Sequence, residues 1–384
     1  QAGIDASNNG DTVLVADGTY TGTGNKNVII DSQNVVLKSE YGWKNCIIDC
    51  ENSGRALYVR YCDNPGLVIE GFSFTNANTS YGGGLMATLC NLTVRSCFFD
   101  NNQAPGYCGV GGAIYLDGRS TLIDRCIFAN NWAAEGGGAI YLVFGLHRTE
   151  IKNCTFFNNS ANNGSSSIIC TGGELYLENT IISNSMNSWG LSSYSYSRTT
   201  LSHCCFWNNQ LGNYTGQNIT AVNLVLANPL YISTSGDSAF HLDPSSHCID
   251  AGNTVSAPDP DGTIADIGAE WFRPLQVILT LHNPPVTIPA AGGAFDMDLQ
   301  VINRRNETYT FNFWTEALLP NGITISPVLV RSNLTIPGNS TVTRTLRQTV
   351  IARAPAGGYR YIAMVGNNEF VAYSSNVVLF SKTP

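Results

Sequence analysis

Charge is scarce in this chain. Asp, Glu, Lys and Arg together make up 12% of 384 residues, and acids outnumber bases 28 to 20. The resulting net charge of −8 argues against a nucleic-acid partner, because the phosphate backbone is bound through clustered cations. Long apolar runs are also missing. No stretch approaches the roughly 18 residues that a membrane-crossing helix needs, so no transmembrane segment is expected. Cysteine is absent after Cys248, although twelve cysteines precede or include it. Recognisable catalytic dipeptides and tripeptides are lacking too: there is no Asn-Thr-Asp, no Gly-His-Gly and no Asp-Asp. The chain opens at Gln1 without a signal peptide and reads as a mature form after secretion, or as a truncated one, with something removed upstream.

What the chain has in abundance is a repeat. Leu67, Ile69, Phe72, Phe74 and Asn76 form a phrase that returns as Leu92, Val94, Cys97, Phe99 and Asn101. It returns again as Thr121, Ile123, Cys126, Phe128 and Asn130, and continues through Ile151, Cys154, Phe156 and Asn158. Leu175, Leu177, Thr180, Ile182 and Asn184, then Thr199, Leu201, Cys204, Phe206 and Asn208, close the series. Spacings of 25, 29, 28, 26 and 24 residues between the final asparagines are the mark of a solenoid. Apolar residues alternate at period 2 within each phrase, which signals strands. Val94 and Cys97 lie three apart, which places a bend between two strands. A third strand per repeat is led by glycine: Gly83-Gly84-Leu85-Met86, Gly112-Ala113-Ile114-Tyr115 and Gly138-Ala139-Ile140-Tyr141. Three strands per turn without helices give an all-β, parallel β-helix, and the family resemblance given below implies that it is right-handed. Equivalent side chains should then stack in ladders, phenylalanine and cysteine inside and asparagine at a turn.

Two domains are expected: 1–272 as the parallel β-helix and 273–384 as an immunoglobulin-like β-sandwich. Repeats fill about 54–210, irregular last coils 211–250, and a Pro/Asp/Gly-rich closing segment 251–272. Beyond about 274 the phrase stops and seven longer strand candidates appear, starting at Val277, Phe295, Tyr309, Ile323, Thr341, Tyr359 and Asn376, with turn signals such as Pro320-Asn-Gly322 between them.

The pairing of Gly-Gly-Ala-Ile with Phe-x-x-Asn (Phe99 to Asn102, Phe128 to Asn131, Phe156 to Asn159, Phe206 to Asn209) resembles the repeats of bacterial polymorphic outer membrane proteins. The opening Asn9-Gly-Asp-Thr-Val-Leu-Val-Ala-Asp-Gly-Thr-Tyr20 resembles the first coil of the pectate-lyase-like β-helix superfamily. Cys248-Ile-Asp-Ala-Gly252 and Asp266-Ile-Gly-Ala269 resemble the last coil of secreted right-handed β-helix repeat proteins. This resemblance implies fold and an extracellular or bacterial cell-surface setting. It leaves function open, because the superfamily includes lyases, hydrolases, adhesins and structural proteins.

For chemistry, Asp117, Asp124, Glu135 and Glu150 are the carboxylates that a polysaccharide lyase or glycosidase would draw on, with Arg119, Arg125, His147, Arg148 and Lys152 near them; none lies in a recognisable motif, and solvated turn charges are the simpler reading. Tyr115 and Tyr141, in one strand slot with Tyr58 and Met86, and the loop residue Trp132 are candidates for stacking on sugar rings. Asp259, Asp261 and Asp266, in Asp259-Pro-Asp261-Gly262, are the candidate ligands of a structural calcium ion; otherwise they form a plain turn. Asn78, Asn213, Asn306 and Asn339 lie in glycosylation sequons. Disulfides Cys46–Cys50, Cys90–Cys108 and Cys204–Cys205 are considered, whereas the Cys97, Cys126, Cys154, Cys204 column reads as buried thiols. The function expected is a secreted surface structural or adhesive protein that associates with itself head to tail into a filament or sheath, or with other surface proteins. A non-catalytic glycan-binding protein is the remaining alternative.

Overall fold

The structure, a computed structural model, describes residues 1–384 apart from 64–65, 144–147, 163–164, 195, 237 and 368–370. Its two compact units are 1–257 with 264–271, and 258–263 with 272–384.

The first unit is a parallel β-solenoid of about eight turns. Among the described residues, three sheets of nine, eight and eight strands run its length, with a small three-stranded sheet inserted at one corner. Pairing between turns is in register throughout: Leu92 lies over Leu67 and Thr121, and Phe99 over Phe74 and Phe128. The repeat therefore folds as the spacing predicts. Phe99 and Phe128 stack with centroids 5.0 Å apart and planes at 5°, and Phe128 and Phe156 at 4.6 Å and 6°. These separations match the strand spacing of a sheet, about 4.8 Å, so each ring sits flat on the ring of the next coil.

The bend between the first and second sheets is made by one residue in the left-handed region. Gly71, Ser96, Arg125, Asn153, Asn179 and His203 hold it on successive coils, with φ between 48° and 82°. On the six repeat coils the next corner is held by asparagine: Asn76, Asn101, Asn130, Asn158, Asn184 and Asn208 all have φ between 51° and 57°. Asparagine tolerates this conformation because its short amide bonds locally. Here that amide also reaches along the ladder, as from Asn101 Nδ2 to Asn76 Oδ1 at 2.7 Å and from Asn158 Nδ2 to Asn130 Oδ1 at 2.7 Å.

The neighbouring asparagines build a second, fully buried ladder. Asn102, Asn131 and Asn159 have no exposed surface. Asn131 Nδ2 donates to Phe99 O at 3.0 Å, and Asn131 Oδ1 accepts from the Asn102 N–H at 3.0 Å. The Phe-x-x-Asn phrase thus supplies a core ring and the amide that satisfies the backbone behind it. The cysteine column does similar work, since Cys97 and Cys126 N–H groups point at the next sulfur along, at 3.5 and 3.4 Å.

All twelve cysteines are free thiols. The disulfides considered from sequence are not formed, for reasons of geometry. Cys204, just ahead of the strand Cys205–Trp207, joins the interior, while Cys205 faces out into a separate cluster. Cys90 is buried and Cys108 exposed, and Cys46 and Cys50 each fill the interior.

The closing part of the unit departs from the expected run of last coils. The regular sheets end with Gly212–Gly216 and Ile219–Val222. The chain then turns back and runs along the outer face of the second sheet. Phe240 packs edge-on against Phe98 and Phe157, at 6.3 and 5.5 Å, and Ala269 N donates to Thr155 Oγ1 at 2.9 Å. Leu242, Cys248 and Ile267 cover Ile181 and Cys205. This returning segment gives the solenoid a second, lateral core.

The second unit is a β-sandwich of antiparallel-dominated sheets. Leu275–Leu281, Gly292–Asn303 and Thr341–Ile351 form one sheet. Val286–Ile288, Tyr309–Leu318, Thr324–Ile336, Gly357–Gly366 and Ala372–Lys382 form the other. All seven strand candidates are present, with the short Val286–Ile288 added. Phe295, Met297, Leu299, Tyr359, Tyr361 and Phe380 are buried in its core.

Candidate functional site

The outward face of the third sheet carries the aromatic slot. Ile29, Tyr58, Met86, Tyr115, Tyr141 and Ile169 are successive partners in its register. Tyr115 and Tyr141 lie parallel, with centroids 6.1 Å apart and planes at 3°. Tyr81, which the sequence reading did not single out, stands edge-on to Tyr115 at 5.5 Å. Arg55 and Arg60 approach the Tyr58 ring at 5.8 and 5.7 Å. Burial pushes the Tyr115 hydroxyl up to about 12, and Asp117, Tyr141 and Tyr81 add to the effect. The Tyr115 hydroxyl therefore stays protonated at neutral pH, where it donates and accepts hydrogen bonds. Trp132 is not part of this row. It belongs to the small corner sheet, where its Nε1 donates to Asn162 Oδ1 at 3.4 Å. The structure therefore gathers Tyr58, Tyr81, Tyr115 and Tyr141 and leaves Trp132 on another face.

The first sheet explains the charges near the middle of the chain. Lys38, Glu70, Arg95, Asp124, Lys152 and Glu178 are consecutive partners in one outward column. Their signs alternate along six coils. Lys38 Nζ is 2.7 Å from Glu70 Oε1, and Arg95 Nε 3.6 Å from Asp124 Oδ2. Beside the column, Glu150 binds both Arg148 and Lys152, at 2.8 and 2.7 Å. Asp124, Glu150 and Lys152 thus lie on neighbouring coils as expected, each already held by an oppositely charged neighbour. His147 lies outside the described residues. Asp117 is on the third sheet, and Glu135 has its backbone N–H bonded to Gly109 O.

Glu178 ends the column and anchors the returning segment. Its carboxylate accepts from Tyr176 OH at 2.5 Å, Asn253 Nδ2 at 2.8 Å and Ser256 Oγ at 2.9 Å. Burial pushes this carboxyl up, but the three hydrogen bonds and Lys152 outweigh burial and hold it below the usual range.

In the second unit, Asp259 is buried, and Asp261 Oδ2 meets Arg305 Nη2 at 3.0 Å while its Oδ1 accepts from the Thr263 hydroxyl at 2.7 Å. In the first, Asp266 Oδ1 accepts from the Asp250 N–H at 2.7 Å. Arg305 supplies Asp261 with the positive charge that a bound cation would bring. Among the described residues, no group of three or more His, Cys, Asp or Glu side chains is placed to hold a metal ion. Of the sequon asparagines, Asn306 and Asn339 are exposed and hydrogen-bonded to each other at 2.9 Å, and Asn78 and Asn213 are half-buried.

With the geometry in hand, comparison with known proteins adds a family likeness. The model of the Chlamydia polymorphic membrane protein repeat matches residues 96–117 and 125–142, the stretch that holds the central stacked coils. A β-solenoid with such repeats is consistent with a bacterial surface protein. No helix of the described residues is long and apolar enough to cross a membrane. No curated protein matches. Among solved structures, the Pseudomonas fluorescens alkylpurine DNA glycosylase bound to DNA containing an abasic site analog is 10% identical over 29% of this chain and 31% of its own, with a TM-score of 0.24. The CARDB domain of a Pyrococcus furiosus protein in complex with di-metal ions is 15% identical, over 28% and 92%, at 0.21. The enzymatically active domain of bacteriophage CBA120 tailspike protein 4 is 12% identical, over 96% and 64%, at 0.20. The chain spans about a third of the glycosylase and just under two thirds of the tailspike domain. Scores this low carry no argument about function.

Proposed function

We propose that this chain is a bacterial cell-surface structural protein whose solenoids associate end to end. The observation that carries this reading is the state of the two terminal coils. Among the described residues, Ile219–Val222 is the last strand of the first sheet and has a neighbour on one side only. Its inward residue Ala221 is exposed, as is Val222, whose exposure is 45%. At the other end Ile4, in a short helix Ala2–Asp5, is buried against the core, and the Gln1 amide bonds both to Ile29 N and to Ile29 O. Even so, Thr12–Val15 and Gly18–Tyr20 each have a single strand partner, and Leu14 is 59% exposed. Leu14 and Val222 occupy the first and last places of the column that holds alternating charges between them. Stacking one copy on the next continues the first sheet and puts Leu14 against Val222. Unpaired strand edges favour this kind of addition, and a contact that repeats without closing gives a filament.

The test is sedimentation of the purified chain over a wide concentration range, with a Val222→Asp variant alongside. Wild-type protein should sediment as growing oligomers and the variant as a monomer. A wild-type monomer at every concentration contradicts the proposal.

A second reading rests on the tyrosine row. Tyr58, Tyr81, Tyr115 and Tyr141 beside Arg55 and Arg60 offer stacking faces and cations to an acidic glycan. Glycan-array binding that falls at least tenfold in Tyr115→Ala would support it, and an array with no signal would remove it.

A further inference from the structure

Most buried cysteines in this chain sit in columns. Cys97, Cys126 and Cys154 point the same way from successive strands of one sheet, and Cys62 donates its N–H to Cys90 Sγ at 3.2 Å from the coil before. Their sulfurs serve as acceptors for the backbone next door. Cys205 and Cys248 are different, because they come from opposing elements. Cys205 projects outward from the strand Cys205–Trp207, and Cys248 belongs to the returning segment laid over that strand. Both are buried in one apolar cluster with Ile181, Leu242 and Ile267. The segment is held in place on both sides of this point. Val225 forms a bridge with Cys205, Ser246 Oγ accepts from the Cys248 N–H at 3.1 Å, and Ile267 N donates to Cys248 O at 2.9 Å. Cys205 Sγ donates to Ala227 O at 3.3 Å, which keeps the thiol on the side of the returning segment.

We infer that Cys205 and Cys248 are a disulfide-forming pair that staples the returning segment to the solenoid in an oxidising medium. The chemistry needs an external disulfide. The Cys205 thiolate attacks a small-molecule disulfide such as oxidised glutathione, forms a mixed disulfide and releases one thiolate. The Cys248 thiolate then attacks the Cys205 sulfur, closes the protein disulfide and releases the second thiolate. Two protein thiols are oxidised, one external disulfide is reduced to two thiols, and the two protons lost by the cysteines end on the leaving thiolates.

The geometry also dictates when this happens. The Cys248 side chain and burial push the Cys205 thiol far up. Since the thiolate is the attacking form, the docked pair reacts slowly. Oxidation belongs to the stage before the segment closes over the sheet, and the same shielding then protects the bond from reductants. The inference concerns the fold alone and does not rest on end-to-end association.

The test uses the full chain, refolded once with oxidised and reduced glutathione and once under a phosphine reductant. Each sample is alkylated in denaturant, digested and mapped by mass spectrometry. The oxidised sample should yield one cross-linked species joining Cys205 to Cys248, with the in-register cysteines alkylated. It should also melt several degrees above the reduced sample. Cys248→Ser should lose both the cross-link and the redox dependence of melting, while Cys204→Ser should keep them. Recovery of Cys205 and Cys248 as alkylated thiols after oxidative refolding, or linkage of Cys205 to another cysteine, would overturn the inference. The wild-type map decides the question even if a variant fails to fold.

Discussion

At the scale of single residues, the solenoid depends on which side chains can hold a left-handed corner and still satisfy the backbone beside it. Asn131 is the sharpest case. Its amide group bonds Phe99 O and the Asn159 side chain, and its carbonyl takes the Asn102 N–H, all without access to water. Replacing it with alanine leaves buried groups unpaired on two coils, so Asn131→Ala should cost about 2–4 kcal/mol in urea unfolding. Asn130→Gly, at the adjoining corner, should cost less than about 1 kcal/mol, because relief of the left-handed strain offsets the loss of two exposed bonds, to Asp100 and from Asn158. Arg125 holds a corner that asparagine or glycine holds on other coils, at φ 52°. Arg125→Asn should therefore raise stability by about 0.5–1 kcal/mol, read as a higher melting temperature. The Phe-x-x-Asn phrase made the ladder legible in the sequence. It did not reveal that adjacent asparagines split into an exposed corner and a buried acceptor, since that depends on which of two neighbours turns inward.

At the scale of elements, the alternating column on the first sheet sets register as well as attraction. A one-coil slip would bring like charges together. Arg95→Glu places a negative charge between Glu70 and Asp124, and should destabilise by about 1 kcal/mol at low salt and less in 1 M salt. The returning segment has its own electrostatic latch at Glu178. Its carboxyl sits below the usual range when folded, so it contributes stability above the unfolded pKa, about 4. That contribution is lost as the pH falls from there through the lower folded value. Acid should loosen the segment first, seen as faster amide exchange at Ile267 and Gly268 than in the stacked strands, and Glu178→Gln should abolish this pH dependence. The return of the segment was missed from the sequence for a physical reason. The segment is aperiodic, and its partners lie on the outer face of the second sheet. One signal was present. Phe98-Phe99, Ile127-Phe128, Phe156-Phe157 and Ile181-Ile182 are apolar on both faces of their strands, which marks a sheet covered on both sides. Likewise Asp124 and Lys152 read as scattered turn charges until register joined them to Lys38, Glu70 and Arg95, with Glu150 beside the column.

At the scale of the whole molecule, the solenoid unit's first sheet begins at Thr12–Val15 and stops at Ile219–Val222, each paired on one side only among the described residues. The tyrosine row and the charge column both run along the solenoid and stay in register from coil to coil. A second copy added end to end would extend them. The most direct measurement is electron microscopy of the native protein at working concentration. Association through the terminal coils requires regular filaments that disperse in Val222→Asp. Separate, unassociated particles in the native material, whatever the concentration, would contradict it.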